Sequence, residues 1–237
     1  MSSTRTAPRE PVRQRVVLHV LWLLLLTCTQ AGASTGELLV LASTTPALKP
    51  GDVKEAGSAI EVPPNAAVTL VAASGGVLRI EGPWRGRIDA ADDDAGLIQR
   101  LAALFQTPPP RREFGASRGL ESCVVVDPND DHDVCFSPST CLAFESGEAS
   151  GEPIVIEGPD RRPVKVHRSP LRPTVPWPKQ LPLQAGRYRI QADAERRPTE
   201  LRLHQQPQLP SAAHDAAWMS EVGCTKQAWK ILSRLGE

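Results

Sequence analysis

Aromatic residues and an excess of charge of either sign are both scarce in this chain. Only 4% of its 237 residues are aromatic, with a single tyrosine, and its 27 basic residues equal its 27 acidic ones. A balanced charge gives no electrostatic reason to expect binding to nucleic acid or to an anionic membrane surface. Proline is abundant, at 23 residues, which favours short strands joined by rigid turns over a helical bundle or a large enzyme barrel.

The first 33 residues follow the order of a secretory signal peptide. Residues 1–15 carry four arginines and one glutamate, residues 16–26 are almost all apolar, and Ala31-Gly32-Ala33 supplies the small residues of a cleavage site. Cleavage there leaves 204 residues that begin at Ser34 and carry 23 basic and 26 acidic side chains. The sequence therefore predicts export from the cytoplasm.

Two other interpretations of this segment stay open. Residues 16–33 include His19 and Gln30, so this stretch of 18 residues is marginal as an uncleaved membrane anchor. Leu25-Leu26-Thr27-Cys28 resembles a lipoprotein box, although Thr27 is bulkier than the residue usually found before a lipidated cysteine. We expect cleavage and, after it, no segment that spans a membrane.

Residues 34–90 have the alternation of short strands. Apolar residues alternate at positions 39 and 41, 60 and 62, 68 and 70, and 78 and 80. Ser74-Gly75-Gly76 lies between the last two pairs and can adopt the positive φ angles of a tight hairpin. The pattern predicts a small, curled β unit with one face exposed to solvent.

The same region resembles the FecR-like domain of bacterial envelope proteins over about residues 46–90. The resemblance rests on glycines followed by hydrophobic alternation in four segments, Leu48-Lys49-Pro50-Gly51, Glu55-Ala56-Gly57-Ser58-Ala59-Ile60, Val68-Thr69-Leu70 and Gly76-Val77-Leu78-Arg79-Ile80. It implies a compact β domain on the periplasmic side of the membrane. FecR regulators place a cytoplasmic anti-sigma segment before their membrane helix, and only 15 residues precede the apolar run here. Regulation of a sigma factor is therefore not implied.

Residues 91–119 are predicted to form a helix followed by a linker. The aspartates at 92–94 offer an N-cap, and apolar residues recur at helical spacing from Leu97 to Phe105. Pro108-Pro109-Pro110 ends this helix, and the stretch rich in proline and arginine that continues to residue 119 is typical of a linker between two units.

Residues 120–206 predict a second β unit, a sandwich of immunoglobulin-like size. Seven short strands are indicated, at 122–126, 134–136, 142–144, 154–156, 164–166, 188–190 and 201–203. The segment from Leu183 to Tyr188 resembles the corner of many such sandwiches, in which a tyrosine hydroxyl bonds to nearby backbone. This part of the chain therefore resembles an immunoglobulin-like periplasmic module. Residues 207–237 predict two short helices whose apolar stripe packs on the sandwich.

Four cysteines lie beyond the predicted leader, namely Cys123, Cys135, Cys141 and Cys224. An even number in an exported chain predicts two disulfides. A hairpin centred on residues 127–131 would pair Cys123 with Cys135 and leave Cys141 for Cys224. Alternatively, Cys224 pairs with Cys135. Either pairing joins the tail to the middle of the chain through a loop of roughly 80 to 90 residues, which stabilises the fold by roughly 4 kcal/mol.

Three patterns suggest chemistry, and a simpler structural role fits each of them better. Gly115-Ala116-Ser117-Arg118-Gly119 matches the nucleophile elbow of hydrolases, but a proline-rich linker precedes Ser117 where a buried strand is needed. Residues 127–133 have the carboxylate density of a calcium loop without its glycine and bidentate glutamate. The cysteines at 123, 135 and 141 do not combine with His132 in a common zinc spacing. We expect no catalytic residue, no metal and no cofactor.

Trp84, with Arg85 and Arg87 beside it, is the candidate for partner binding. An aromatic ring among arginines can stack on a sugar or contact the acidic edge of a protein, although it can also simply cover the open end of the first β unit. We predict a non-enzymatic envelope protein, periplasmic or secreted, that binds or scaffolds an envelope protein or a cell-wall glycan. A periplasmic hydrolase and a membrane-anchored signalling subunit are the alternatives.

Overall fold

The computed structural model of the chain describes residues 36–89, 95–107, 123–130, 132–146, 152–160, 162–169, 171–195 and 197–237. The predicted leader, the aspartates at 92–94 and the linker that contains Ser117 lie outside these residues. Within the described residues the protein is mainly β, with three helices. None of the helices in these ranges is both long enough and apolar enough to cross a bilayer.

Six strands form the first β unit: β1 (Glu37–Ser43), β2 (Val53–Glu55), β3 (Ala59–Val62), β4 (Ala67–Ala72), β5 (Val77–Glu81) and β6 (Trp84–Arg87). An antiparallel sheet has the order β2-β1-β4-β5, and β3 pairs separately with β6. The four predicted alternations all lie in these strands. Gly75 adopts a φ of 79° in the hairpin between β4 and β5, which confirms the predicted turn.

The central strands β1 and β4 of the four-stranded sheet are buried on both faces, which corrects the expectation of one exposed face. Val40 and Val68 lie in a core shared with the β3–β6 sheet, whereas Leu39 and Val71 face a second core built with helices. The reason is visible in β1, which reads Leu38-Leu39-Val40-Leu41. An unbroken apolar run of this kind is typical of a strand that is covered on both sides.

Three helices cover the second face of this sheet: α1 (Ala95–Gln106), α2 (Ala212–Glu221) and α3 (Thr225–Gly236). α1 ends at Gln106, as expected from the prolines at 108–110. Ser211 caps α2, since its Oγ accepts a hydrogen bond from the backbone N–H of His214. Phe105 of α1 contacts Trp229 of α3 edge to face, with ring centroids 4.9 Å apart, so the three helices and the sheet enclose one core.

Eight strands form the second β unit: β7 (Cys123–Val126), β8 (His132–Phe136), β9 (Cys141–Glu145), β10 (Ile154–Glu157), β11 (Pro163–Val166), β12 (Thr174–Pro176), β13 (Gly186–Gln191) and β14 (Thr199–Gln205). The seven predicted strands are present, and β12 is an additional one in a proline-rich segment. A sheet of order β11-β10-β13-β14-β8 faces a sheet of order β12-β9-β7. Their inner faces meet in a core that includes Phe144, Ile156 and Tyr188.

The predicted tyrosine corner is confirmed. The Tyr188 hydroxyl donates to the carbonyl oxygen of Gln184 at 3.1 Å and accepts from the N–H of the same residue at 3.3 Å. The ring itself is buried and meets Trp177 edge to face at 5.3 Å. A buried phenol needs a polar partner, and the backbone of Gln184 supplies it.

The disulfides are Cys123–Cys141 and Cys135–Cys224. The pairing based on a hairpin at 127–131 is therefore wrong, and the alternative for Cys224 is confirmed. β7 pairs in parallel with β9, which places Cys123 directly opposite Cys141, whereas β8 pairs in parallel with β14 in the other sheet. The chain between β7 and β8 thus crosses from one sheet to the other.

The C-terminal helices pack on the first β unit, which corrects the expectation that the tail packs on the sandwich. Their apolar residues share a core with Leu39, Leu41 and Val71, and they meet the sandwich at Cys135. The outer face of β13 and β14 carries charged side chains, so it offers no apolar surface to a helix stripe. Through this tail, the described residues from 36 onward form one compact unit.

Candidate binding surfaces

Trp84 packs at the edge of the core that the four-stranded sheet shares with the β3–β6 pair. It faces Val62 across the β3–β6 pair, is partly buried, and packs against the core that contains Ile60 and Ile80. Its ring lies over Gly86, where an added Cβ would come within 2.6 Å of the Trp84 Cζ2 atom. The geometry therefore gives the indole a packing role at the end of the β unit.

Arg85 and Arg87 point away from that core. β6 alternates between partly buried and exposed residues, with both arginines exposed. Arg85 lies opposite Glu61 in the strand register, and neither arginine makes an ion pair with another residue of the described ranges. A role in partner binding for Trp84, Arg85 and Arg87 stays a prediction.

The acidic segment before β8 forms a turn. The Asp127 Oδ1 atom accepts from the backbone N–H and the side-chain amide of Asn129, at 2.8 and 3.1 Å, as expected for a turn-forming aspartate. Asp133 instead contacts His204, with 2.8 Å between Oδ1 and Nε2. In the part of the chain that the structure describes, no group of three or more His, Cys, Asp or Glu is arranged to hold a metal. The thiols considered for zinc are joined in disulfides.

One edge of β5 is free of any partner strand in the described ranges. Ala72 N–H donates to the Gly76 carbonyl and Gly82 N–H donates to the Ala66 carbonyl, both at 2.9 Å. Since antiparallel residues alternate between facing the partner strand and facing away, the N–H and C=O groups of Val77, Arg79 and Glu81 point away from β4. β5 ends the sheet order, and no described backbone group bonds to this side.

Apolar side chains flank this free edge on both faces of the sheet. Val77 and Leu78 are 42% and 43% exposed, in a protein whose other large apolar side chains are mostly buried. Arg79 is held to one side, because its guanidinium contacts Glu81 and donates to the backbone carbonyl of Glu237. The edge therefore offers an open hydrogen-bonding ladder with apolar contacts beside it.

No family model, curated protein or solved structure matches this chain. The FecR-like resemblance of residues 46–90 and the immunoglobulin-like resemblance of the second unit accordingly stay predictions.

The sequence patterns missed the β5 edge. The adjacent apolar pair Val77-Leu78 directly after Gly75-Gly76 was the local signal, because a strand buried on one face shows polar residues at every second position. That signal does not reveal an edge, however. The position of β5 at the end of the sheet depends on the order β2-β1-β4-β5, which is set by pairings distant in sequence.

Proposed function

We propose that this protein is an exported, non-enzymatic binding module of the bacterial envelope, which holds an extended segment of a partner protein as an additional strand beside β5. The observation that supports this proposal is the free edge of β5. There the backbone N–H and C=O groups of Val77, Arg79 and Glu81 point away from β4, and the side chains of Val77 and Leu78 are exposed beside them. Strand addition derives its affinity from main-chain hydrogen bonds and its specificity from flanking side chains.

Three other sheet edges, those of β8, β11 and β12, carry protections that keep strands from pairing. β8 is covered, because Gln227 bonds to the backbone of Cys135 and a disulfide joins that strand to Cys224. β11 begins with Pro163, and β12 has three residues and ends with Pro176. β5 has five residues and no proline, so it is the better receptor for a strand.

An oxidising compartment fits the two disulfides, which persist outside the cytoplasm and are rare within it. Together with the predicted leader, this supports a periplasmic or secreted location. This location and this edge favour, as the partner, an envelope protein that presents an extended segment.

Site-specific photo-crosslinking in intact cells tests the proposal. A photoreactive residue replaces Leu78 at the β5 edge, and in a parallel strain it replaces Val53, which is equally exposed at 42% on the short edge strand β2. We expect a discrete adduct with another protein from position 78 and a much weaker one from position 53.

A second substitution tests whether the free backbone hydrogen-bonding groups of β5 are what holds the partner segment. Val77→Pro removes an N–H that points away from β4, so it should block strand addition while the sheet stays folded. Val77→Thr keeps the N–H and serves as the matched control. The Leu78 adduct should disappear in V77P and persist in V77T. An adduct of equal yield in both variants, or none at position 78, contradicts the proposal.

A further inference from the structure

An open groove of about 680 Å³ lies on the outer face of the five-stranded sheet, whereas β5 belongs to the four-stranded sheet. We call it the arginine groove, after its charged lining of Arg187, Arg189, Arg197, Arg202, Glu157 and Glu200. Four guanidinium groups against two carboxylates leave an excess of positive charge here, in a chain that is balanced as a whole.

The strand register concentrates this charge. Arg187 of β13 lies directly opposite Arg202 of β14, an arrangement of like charges that destabilises a strand pair. Glu200 contacts both arginines, since its Oε1 atom is 3.9 Å from the Arg187 Nε atom and 2.5 Å from the Arg202 Nε atom. One carboxylate thus serves two guanidinium groups. Local arrangements that cost stability are typical of functional surfaces.

Two further guanidinium groups line the groove, and Arg189 lies opposite Glu157 of β10 and Glu200 of β14 in the strand register. Neither Arg189 nor Arg197 makes a hydrogen bond or an ion pair with another described residue through its side chain. Arg189 is anchored on β13 between the buried Tyr188 and Ile190, so its position is fixed by the core below it. A planar guanidinium on a rigid strand is well suited to bidentate contact with a carboxylate.

The arginines and glutamates of the groove together determine which kind of anion it can bind. Glu157 and Glu200 can accept hydrogen bonds from sugar hydroxyls, but they repel a chain with a phosphate on every unit, such as nucleic acid. The only aromatic residue of the lining, Tyr188, has its side chain 1% exposed in the core, so no ring is offered for base stacking. We propose that the arginine groove binds a short acidic glycan whose carboxylates pair with Arg187, Arg189 and Arg202.

Titration calorimetry of the purified full chain with tetragalacturonic acid tests this inference, with maltotetraose as the uncharged counterpart. We expect saturable binding of the acidic oligomer that weakens with salt, and none of the neutral one. Arg187→Gln combined with Arg202→Gln should weaken binding at least about tenfold, since two charge-assisted contacts are lost. Glu200→Gln should strengthen it about threefold, because a competing carboxylate is removed.

Matched variants separate this effect from general charge and from the β5 edge. Arg85→Gln with Arg87→Gln removes two exposed arginines from the first β unit and should leave the affinity unchanged, as should V77P. Equal losses in R85Q/R87Q and R187Q/R202Q overturn the inference, as does the absence of saturable binding at low salt. Tighter binding of polyglutamate or of an oligothymidylate also overturns it, since the ligand would then be a peptide or a nucleic acid.

Discussion

Gln227 occupies the position of a missing strand beside Cys135. Its Nε2 atom donates to the Cys135 carbonyl at 2.7 Å, and its Oε1 atom accepts from the Cys135 N–H at 2.8 Å. One side-chain amide from α3 therefore reproduces the pair of hydrogen bonds that an antiparallel neighbour would make with β8. The same strand is joined to the helical tail by the Cys135–Cys224 disulfide, so the edge of the sandwich and the tail stabilise each other.

Replacing Gln227 with alanine should destabilise the fold by about 1 to 3 kcal/mol, because it leaves a backbone donor and acceptor of a buried residue without their partners. Urea unfolding measures this directly. Lys230→Ala, an exposed position on the same helix, is the control and should stay within about 0.5 kcal/mol of the parent. Equal effects of the two substitutions would show that the paired amide contributes nothing specific.

The two disulfides should differ in what they contribute. Cys135–Cys224 spans 89 residues and Cys123–Cys141 spans 18. In the chain-entropy treatment these loops correspond to roughly 4.5 and roughly 3 kcal/mol. We therefore expect the double alanine variant at 135 and 224 to unfold at a lower denaturant concentration than the one at 123 and 141. The reverse order would contradict the entropic argument and indicate that local strand pairing dominates.

Local sequence patterns predicted where the strands lie, but not which strands pair or where the helical tail packs. Alternating apolar residues located the seven strands of the sandwich, and the segment around Tyr188 predicted its backbone hydrogen bond, since these features depend on neighbours in sequence. The register of Cys123 with Cys141 depends on a parallel pair, β7–β9, that no turn connects. The tail's packing on Leu39 and Val71 depends on a sheet face more than a hundred residues earlier. The β5 edge and the arginine groove are likewise products of strand order.

Arg168 links the two sheets of the sandwich at one end. Its guanidinium donates to the Ser146 carbonyl, which follows β9, at 3.4 Å, and also to the Ala192 carbonyl, which follows β13. Arg168→Ala should destabilise the fold by about 2 to 4 kcal/mol, because two charge-assisted hydrogen bonds are lost. Arg168→Lys should recover only part of this, since one ammonium lacks the fork that spans both carbonyls.

Thermal and urea unfolding of both Arg168 variants measures the difference. Arg172→Ala is the matched control, because this arginine is exposed and lies four residues further along the same connection. Its effect should be within about 0.5 kcal/mol. Full recovery of stability in R168K would indicate that charge alone suffices and that the fork geometry does not matter.

Tyr188 makes the stability of the sandwich sensitive to alkaline pH. Burial raises the pKa of its phenol above the ordinary value of 10.0, the Gln184 backbone hydrogen bond opposes this shift, and Asp160 adds to it. Because the folded-state pKa is the higher one, ionisation favours the unfolded chain. The stability that Tyr188 contributes is therefore complete below pH 10 and should be lost as the pH rises through the folded-state pKa.

The chain has one tyrosine among five tryptophans, so the change in ultraviolet absorbance that accompanies phenolate formation reports this group alone. We expect phenolate absorbance to appear in the native protein only above pH 10, together with loss of tertiary circular dichroism. Tyr188→Phe should be less stable than the parent at neutral pH, because the Gln184 backbone loses its partner. Above pH 10 the free energy of unfolding should fall less in the variant than in the parent. The difference between the two proteins should therefore shrink there. Phenolate formation at or below pH 10 without any structural change would contradict the buried, hydrogen-bonded state of the ring.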